Sequence, residues 1–412
     1  SPTGSDANTG LSTSQPWTIT KGILWLTNGN TVWMMDGSYS SFRITNSVDN
    51  NNLTLKASLK ALNYKSAIVD GAGTSYCIDV ASSNVHIRGL VISNAVNGIR
   101  SQKHGVEIKN NRITKCTAIA ISIIHPINSY SNLVEHNEVI DNPGGAVEAI
   151  QVRSYDNIIR NNLIISNGNS GLVIRPVGIG EGLGELGATN NYIYNNIVSG
   201  HTGLGTQIIS TSANGNVDGT NFIYNNTLLD GLYNLGGTPY TYNNVIYPAS
   251  AYPNYPILTN PNATYVCNDI TKMDYNFATN TLVGTGANDL IIANYSKTTL
   301  FPSNAFNQFW LSYTNPLRLV ASRTTTAGSV DFFGRARLFP YDIGAIQYEE
   351  EFETDTRDLN DRNLDPYLCN VPAFRVVGHK AYHNVRWNVT ALNVAGHALY
   401  RKEGAGAYTK IA

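Results

Sequence analysis

The sequence predicts an all-β chain wound as a single-stranded parallel β-helix, a solenoid of stacked coils. Three observations predict it. First, an Asn-Asn dipeptide recurs at Asn110-Asn111, Asn161-Asn162, Asn195-Asn196, Asn225-Asn226 and Asn243-Asn244, and His136-Asn137 fills the same slot. Successive second members lie 26, 25, 34, 30 and 18 residues apart, a period that marks stacked repeats. Second, each pair sits in a β-branched run such as VEIKNNRI, LVEHNEVI, IIRNNLII or YIYNNIVS. There the apolar residues alternate rather than follow helical spacing. Third, Pro and Gly interrupt every stretch long enough for a helix. Each repeat is then one coil of two or three short strands joined by turns. Asparagine suits the bend, because its amide tolerates left-handed backbone angles. Stacked on its equivalents, it can form an amide ladder at about 4.8 Å per step.

Composition sets the surroundings. Charged residues make up 14 % of the 412 positions, and the net charge is −1. A nucleic-acid footprint would need a basic face, so no nucleic-acid partner is expected. No apolar run is long enough for a membrane span. Asn, Thr, Ser, Gly and Tyr fill the surface, the balance of a secreted, carbohydrate-facing protein at the cell surface or outside the cell. Cys77, Cys116, Cys267 and Cys369 lack metal spacing and are too sparse for a disulfide scaffold, so each reads as a buried single thiol.

In chain order, residues 1–52 form an N-terminal cap and first coil. Trp17, Ile19, Ile23 and Leu26 fit a brief amphipathic helix that covers the open end, which would otherwise present unpaired strand edges. Asp36-Gly37 is a turn. Regular coils occupy 53–247, and irregular coils and loops 248–348. An acidic, Arg-rich linker spans 349–370. Residues 371–412 alternate like the first half of a β-sandwich, too little to bury its own core. Either further strands follow in sequence, or another chain supplies them by self-assembly.

On one sheet's outer face, equivalent positions of neighbouring coils lie side by side. With Ile150, Val152, Leu172 and Ile174 inward, Gln151, Arg153, Val173 and Arg175 point out. Arg153 and Arg175 then fall at matching positions. Two guanidiniums about 5 Å apart repel unless an anion lies across them. His125 ends the preceding strand, and Glu148 lies just before Arg153. This cluster suits an acidic sugar chain, with Arg153, Arg175 and His125 catalytic and Arg100, Gln151, Tyr155, Glu181 and Gln207 contacting substrate. An outward Arg can instead pair with an acid, here Glu148, Asp156 or Glu181. Glu107, Glu135 and Glu138 read as solvated surface. The Gly-rich insertion Gly178–Glu185 lacks the lysine of a phosphate loop and reads as a lobe over the groove.

Several segments resemble known families. The opening QPWTI…DGSYS and the later Asp331-Phe332-Phe333-Gly334-Arg335…Asp342-Ile343-Gly344-Ala345 resemble the entry and closing signatures of secreted right-handed β-helix proteins. The latter places the end of the helix near Tyr348. Residues 385–389, 398–401 and 408–412 resemble a fibronectin type III-like sandwich. The stretch EAIQVRSYDN…RNN…GLVIR from Glu148 to Arg175 resembles the core of alginate lyase and chondroitinase B-type polysaccharide lyases. In that pattern a lysine takes the proton alpha to a uronate carboxylate, an arginine assists as acid, and calcium neutralises the carboxylate. Arg175 matches the arginine and Glu148 one calcium-binding glutamate. Arg153 stands at the lysine's position, Ala146 at the second glutamate's, and Pro176 replaces a histidine. Pectate lyase-like enzymes of this fold use an arginine base, so the resemblance implies β-elimination of an acidic polysaccharide, with calcium as its cofactor. The alternatives are a non-catalytic carbohydrate-binding, adhesin or surface-fibre protein, and a glycoside hydrolase. The hydrolase would need two carboxylates about 5–10 Å apart, and no outward pair on adjacent coils stands out.

Overall fold

The computed structural model describes residues 1–45, 55–124, 129–143, 148–165, 167–174, 188–203, 205–208, 221–234 and 240–247, together with short pieces beyond. Its strands form three parallel sheets of ten, eleven and nine strands, and in each sheet the neighbours are every third strand in the chain. Each coil therefore gives one strand to each sheet. One coil runs Leu133–Glu135, Glu138–Ile140 and Glu148–Arg153, and the next Ile158–Arg160, Leu163–Ile165 and Ser170–Ile174. The expected parallel β-helix is what the chain forms.

The alternation read in the sequence decides the inside. In the first sheet Ile87, Ile108, Val134, Ile159, Ile193 and Ile223 stack in one column. In the third, Ile78, Ile99, Ile121, Ile150 and Leu172 do the same. All are buried in one continuous core. Stacking like shapes at the strand spacing keeps β-branched side chains in contact along the axis.

The Asn-Asn pairs divide two tasks between their members. Asn110, His136, Asn161, Asn195, Asn225 and Asn243 take left-handed angles, φ 52–55°, and turn the chain from the first sheet to the second. Asn111, Asn137, Asn162, Asn196, Asn226 and Asn244 are buried and form the ladder. Each amide nitrogen donates to the next amide oxygen at 3.0–3.2 Å. Two further ladders lack the recurring dipeptide, apart from Asn190-Asn191. Asn132, Asn157, Asn191 and Asn221 link at 2.8–3.0 Å at the corner before the first sheet. Asn142 donates to Asn167 at 2.6 Å, Asn167 meets His201 Nε2 at 3.4 Å, and His201 Nδ1 donates to Asp230 at 3.0 Å. These ladders satisfy corner backbone groups that no strand can reach.

A six-residue helix, Ile19–Leu24, begins at Thr18, whose hydroxyl accepts from the Lys21 amide at 3.3 Å. It buries Ile23, and Leu26 just beyond it is buried too, as the cap requires. Asp36 serves the turn, accepting from Asn63 at 2.9 Å and from Ser66. Cys77 and Cys116 are buried free thiols, and burial pushes them up to about 11 and about 12. Cys267 and Cys369 lie outside the described residues.

Beyond Tyr247 the sheets continue through Ile257–Thr259, Met273–Asp274 and Phe277–Ala278. The described part of the closing signature folds back onto earlier coils. Asn161 donates to the carbonyls of Asp331 and Phe332 at 2.9 and 2.7 Å, and the Gly344 amide donates to the Asn243 carbonyl at 2.9 Å. Phe332 and Ala345 are buried against Ile140, Leu163, Ile165 and Ile197 on the outside of the second sheet. That explains why this sheet carries apolar residues outward as well as inward. The chain divides into two units, Ser1–Leu364 and Asp365–Ala412. The second shows two antiparallel pairs, Arg375–His379 with Tyr382–Arg386 and Tyr400–Arg401 with Thr409–Lys410.

Candidate active site

The third sheet presents the expected outer column. Register aligns Asp79, Arg100, Ser122, Gln151, Val173 and Gln207 on successive rungs, with Ile124 opposite Arg153 at the strand ends. Strand alternation puts this column on the face opposite the core.

Arg100 is occupied by a neighbour. Its Nε and Nη2 donate to the two carboxylate oxygens of Asp79, each at 2.8 Å, and Nη1 donates to the Tyr76 hydroxyl at 2.9 Å. Its guanidinium lies 3.9 Å from the Tyr76 ring centroid, and Arg43 approaches Asp79 at 3.2 Å. The Asp79 hydrogen bonds hold the Arg100 pKa above its ordinary value. Gln151 is buried at 1 % exposure and donates to Glu148. The expectation that Gln151 faces an open groove is thereby corrected: the outer column is covered here, and the amide is spent on the neighbouring carboxylate. Arg153 is half-buried at the end of its strand. Tyr155 bridges to Tyr130 and stacks on it at 5.5 Å, and Tyr130 stacks on His104 at 4.9 Å. This aromatic stack lies at the corner leading to the first sheet, away from the Gln151 column. Gln207 takes its place in register, though its side chain lies outside the described residues, as do His125, Arg175 and Glu181.

Glu148 was the one residue matching a calcium ligand. Calcium takes six to eight oxygen donors. Among the described residues no group of three or more His, Cys, Asp or Glu side chains comes together, and Glu148 is engaged with Gln151. These residues do not assemble a calcium set.

The glutamates read as solvated are a correction. Glu138 is fully buried and Glu135 is 4 % exposed. Glu138 pairs with Lys65 at 2.5 Å and faces Arg112 at 3.9 Å. Glu135 pairs with Lys109 and with Arg160, both at 2.5 Å, and His136 lies 3.7 Å away. Glu107 is half-buried and paired with Lys56. Buried carboxylates require such partners. Burial pushes the Glu135 carboxyl up, and the charges of His136, Lys109 and Arg160 outweigh it and leave it below its usual value. Burial pushes His136 down to about 4.

The Glu135 pairs belong to a charged column on the outer face of the first sheet. Trp33, Lys60, Arg88, Lys109, Glu135, Arg160 and Tyr194 occupy successive rungs. The sequence did hold a signal for its later members: each immediately precedes the left-handed residue of the turn. Aligned on the Asn pair, the runs read KNN, EHN, RNN and YNN.

A family model described as a right-handed β-helix region matches residues 64–228. No curated protein matches the chain significantly. Among solved structures, a pectate lyase, Pel9A, is 12 % identical with a TM-score of 0.50, over 84 % of this chain and 95 % of that one. An alginate lyase from Paenibacillus sp. str. FPU-7 is 14 % identical with a TM-score of 0.36, over 65 % and 93 %. A pectin methylesterase from Aspergillus niger is 11 % identical with a TM-score of 0.38, over 72 % and 95 %. The likeness to the first of these establishes the fold: a right-handed parallel β-helix. Among the described residues no helix is long and apolar enough to cross a membrane.

Proposed function

We propose that this right-handed β-helix protein is a polysaccharide lyase. It acts outside the cell on a uronate-containing glycan, by β-elimination at the ends of the third-sheet strands. The observation that carries the reading is the placement of Arg153. It ends the strand Glu148–Arg153, and the rungs joining that strand to Ser170–Ile174 run in register up to Val152 opposite Ile174. Arg175 follows Ile174 in sequence. The fold is shared with a pectate lyase, although fold alone does not fix chemistry.

In this reading a uronate lies across the strand ends. Arg153 holds its carboxylate and stabilises the negative charge that develops there. The base, assigned to Arg175, removes the C5 proton, and His125 assists the transfer of protons. The C5–H electron pair becomes the C4–C5 double bond, the C4–O bond breaks, and the departing sugar oxygen takes up a proton. An arginine base needs a neighbouring positive charge to release its own proton, which Arg153 provides.

The test is absorbance of the unsaturated uronate on incubation with alginate, pectate and chondroitin, with and without calcium. A rise that disappears in Arg153→Ala and Arg175→Ala is the expected result. No rise with any substrate rejects the lyase. New reducing ends without the double bond would make the chain a hydrolase. A non-catalytic, glycan-binding rod is the second reading. The internal pairing of Arg100 with Asp79 and of Gln151 with Glu148 favours it, because both side chains are already satisfied.

A further inference from the structure

The cap end of the solenoid holds a cavity that the chemistry above does not use. Its volume is about 240 Å³, and it lies between the N-terminal loop and the strand Thr31–Met34. All four residues of that strand line it, and none of its pairing partner Ala57–Ala61 does. The cavity therefore runs along the free edge of the strand that begins the first sheet. Half the backbone groups of an edge strand point away from the sheet and need polar company.

The loop on the other side is pinned. Trp17 Nε1 donates to the Asn8 carbonyl at 2.6 Å, and Asn8 Nδ2 donates to the Pro16 carbonyl at 2.8 Å. The Gly10 amide donates to the Gln15 carbonyl at 2.9 Å. Gly10 has φ 71°, and a Cβ there would run into the Trp17 ring. The cavity is thereby formed before a ligand arrives, which lowers the cost of binding.

Its lining is of two kinds. Trp17, Met35 and the buried Met34 are apolar, and Trp33 offers an indole at 49 % exposure. The Lys60 ammonium, one rung on, lies over that indole, 5.6 Å from its centroid. No rung precedes Trp33, so the sheet stacks nothing on the opposite face of the ring. Thr13 and Thr31 also line the cavity and are exposed, and their hydroxyls find no hydrogen-bond partner among the described residues. A purely apolar ligand would leave these hydroxyls and the strand edge dehydrated, at a cost. A pyranose ring meets both kinds of surface: a flat C–H face for the indole and a rim of hydroxyls for the threonines and the edge. The size agrees, since an apolar cavity of about 150 Å³ takes a benzene. An extended peptide would need the edge clear along its length, and the cap helix stands against it, with a Cβ on Gly22 only 3.2 Å from Val32 Cγ1.

We propose that the cavity between the N-terminal loop and Thr31–Met34 is a sugar-binding site that holds one pyranose unit of a glycan, stacked on Trp33. It lies on a different sheet from Arg153 and does not depend on the elimination reading.

The test is calorimetric titration of the full chain with hexasaccharides of β-1,4-glucose, β-1,4-mannose, galacturonate and mannuronate, in an Arg153→Ala background so that no ligand is consumed. Binding of at least one is expected, and which one binds separates a neutral glycan from an acidic one. Trp33→Ala should weaken it about tenfold, and Trp33→Phe, which keeps a ring, should restore most of the loss. Thr31→Val should weaken it several-fold. Tyr240→Ala, which removes an exposed aromatic elsewhere on the same sheet, should leave it unchanged, with all melting temperatures within a few degrees of the parent. Failure of every hexasaccharide to bind overturns the site. So does unchanged binding in Trp33→Ala, equal weakening by Tyr240→Ala, or tighter binding of a valine- and threonine-rich hexapeptide. Binding that follows the expected pattern in a chain with no lyase activity would uphold the site while rejecting the elimination reading.

Discussion

Asn162→Ala removes one rung of the main amide ladder, and the structure gives the size of the effect. The Asn162 side-chain oxygen accepts from the Asn137 backbone amide and from Asn137 Nδ2, both at 3.0 Å. Its nitrogen donates to the carbonyls of Val134 and Arg160 at 2.9 Å and to Asn196 Oδ1 at 3.0 Å. Asn137 Nδ2 keeps a second acceptor, the Ile108 carbonyl at 2.8 Å, and Asn196 Oδ1 keeps the Asn162 backbone amide at 3.0 Å. The Asn137 backbone amide keeps nothing. One orphaned buried donor costs about 1–3 kcal/mol, and the loosened partners and the void add to it. A total of about 3–4 kcal/mol follows. Asn110→Gly is the control. It has φ 55° and lies in the same dipeptide family, but its amide oxygen has no hydrogen-bond partner among the described residues. Glycine accepts that backbone angle, so the loss should stay under about 1 kcal/mol. Guanidinium unfolding followed by far-UV circular dichroism compares the two. Hydrogen exchange of the Leu133–Glu135 and Ile158–Arg160 strands shows whether the opening is local, as a one-dimensional stack allows. Equal costs for the two variants would refute the idea that the ladder, rather than the turn geometry, holds adjacent coils together.

Acid should destabilise the protein before carboxylates titrate. Unfolded His136 takes a proton near pH 6.5 and the folded residue only near 4. The unfolded chain therefore binds more protons in that window, and stability present at neutral pH is lost as pH falls through it, by about 3 kcal/mol at most from this group. The depressed Glu135 acts with the same sign below its unfolded value. A flat urea midpoint between neutral pH and about 4 would contradict this. Phe332→Ala empties the contact between the returning segment and the second sheet, and should cost about 3–5 kcal/mol in thermal or denaturant unfolding. A change under about 1 kcal/mol would mean the segment is not bound there in solution. At Gly171 an added Cβ would come within 2.6 Å of Val198 Cγ1 and 2.7 Å of the Gly205 carbonyl. Gly171→Ala should cost about 1–3 kcal/mol by overpacking and displace the strand leading to Arg175, lowering any lyase turnover along with the melting temperature.

Backbone chemistry was legible in the chain by itself. The Asn pair carries a left-handed bend in its first member and a stacking amide in its second, so its recurrence reports coil, corner and ladder at once. Alternation of β-branched residues reports which side chains meet inside. Both signals are local, and a local signal survives in one dimension. The other two ladders gave no such report, because Asn132, Asn157 and Asn221 follow no asparagine, and the other ladder passes from Asn142 and Asn167 to His201 and Asp230. The fate of outward residues depends on what covers them, and that is a long-range matter. Gln151 is spent on Glu148, Arg100 on Asp79, and Glu135 and Glu138 on lysines and arginines from other coils. Lys60, Arg88 and Lys109 are 28 and 21 residues apart in sequence, and only the register of the first sheet makes them neighbours. Strand identity could be read from pattern, but the electrostatics of each face had to wait for the stacking of coils, because charge interactions depend on distance through space rather than along the chain.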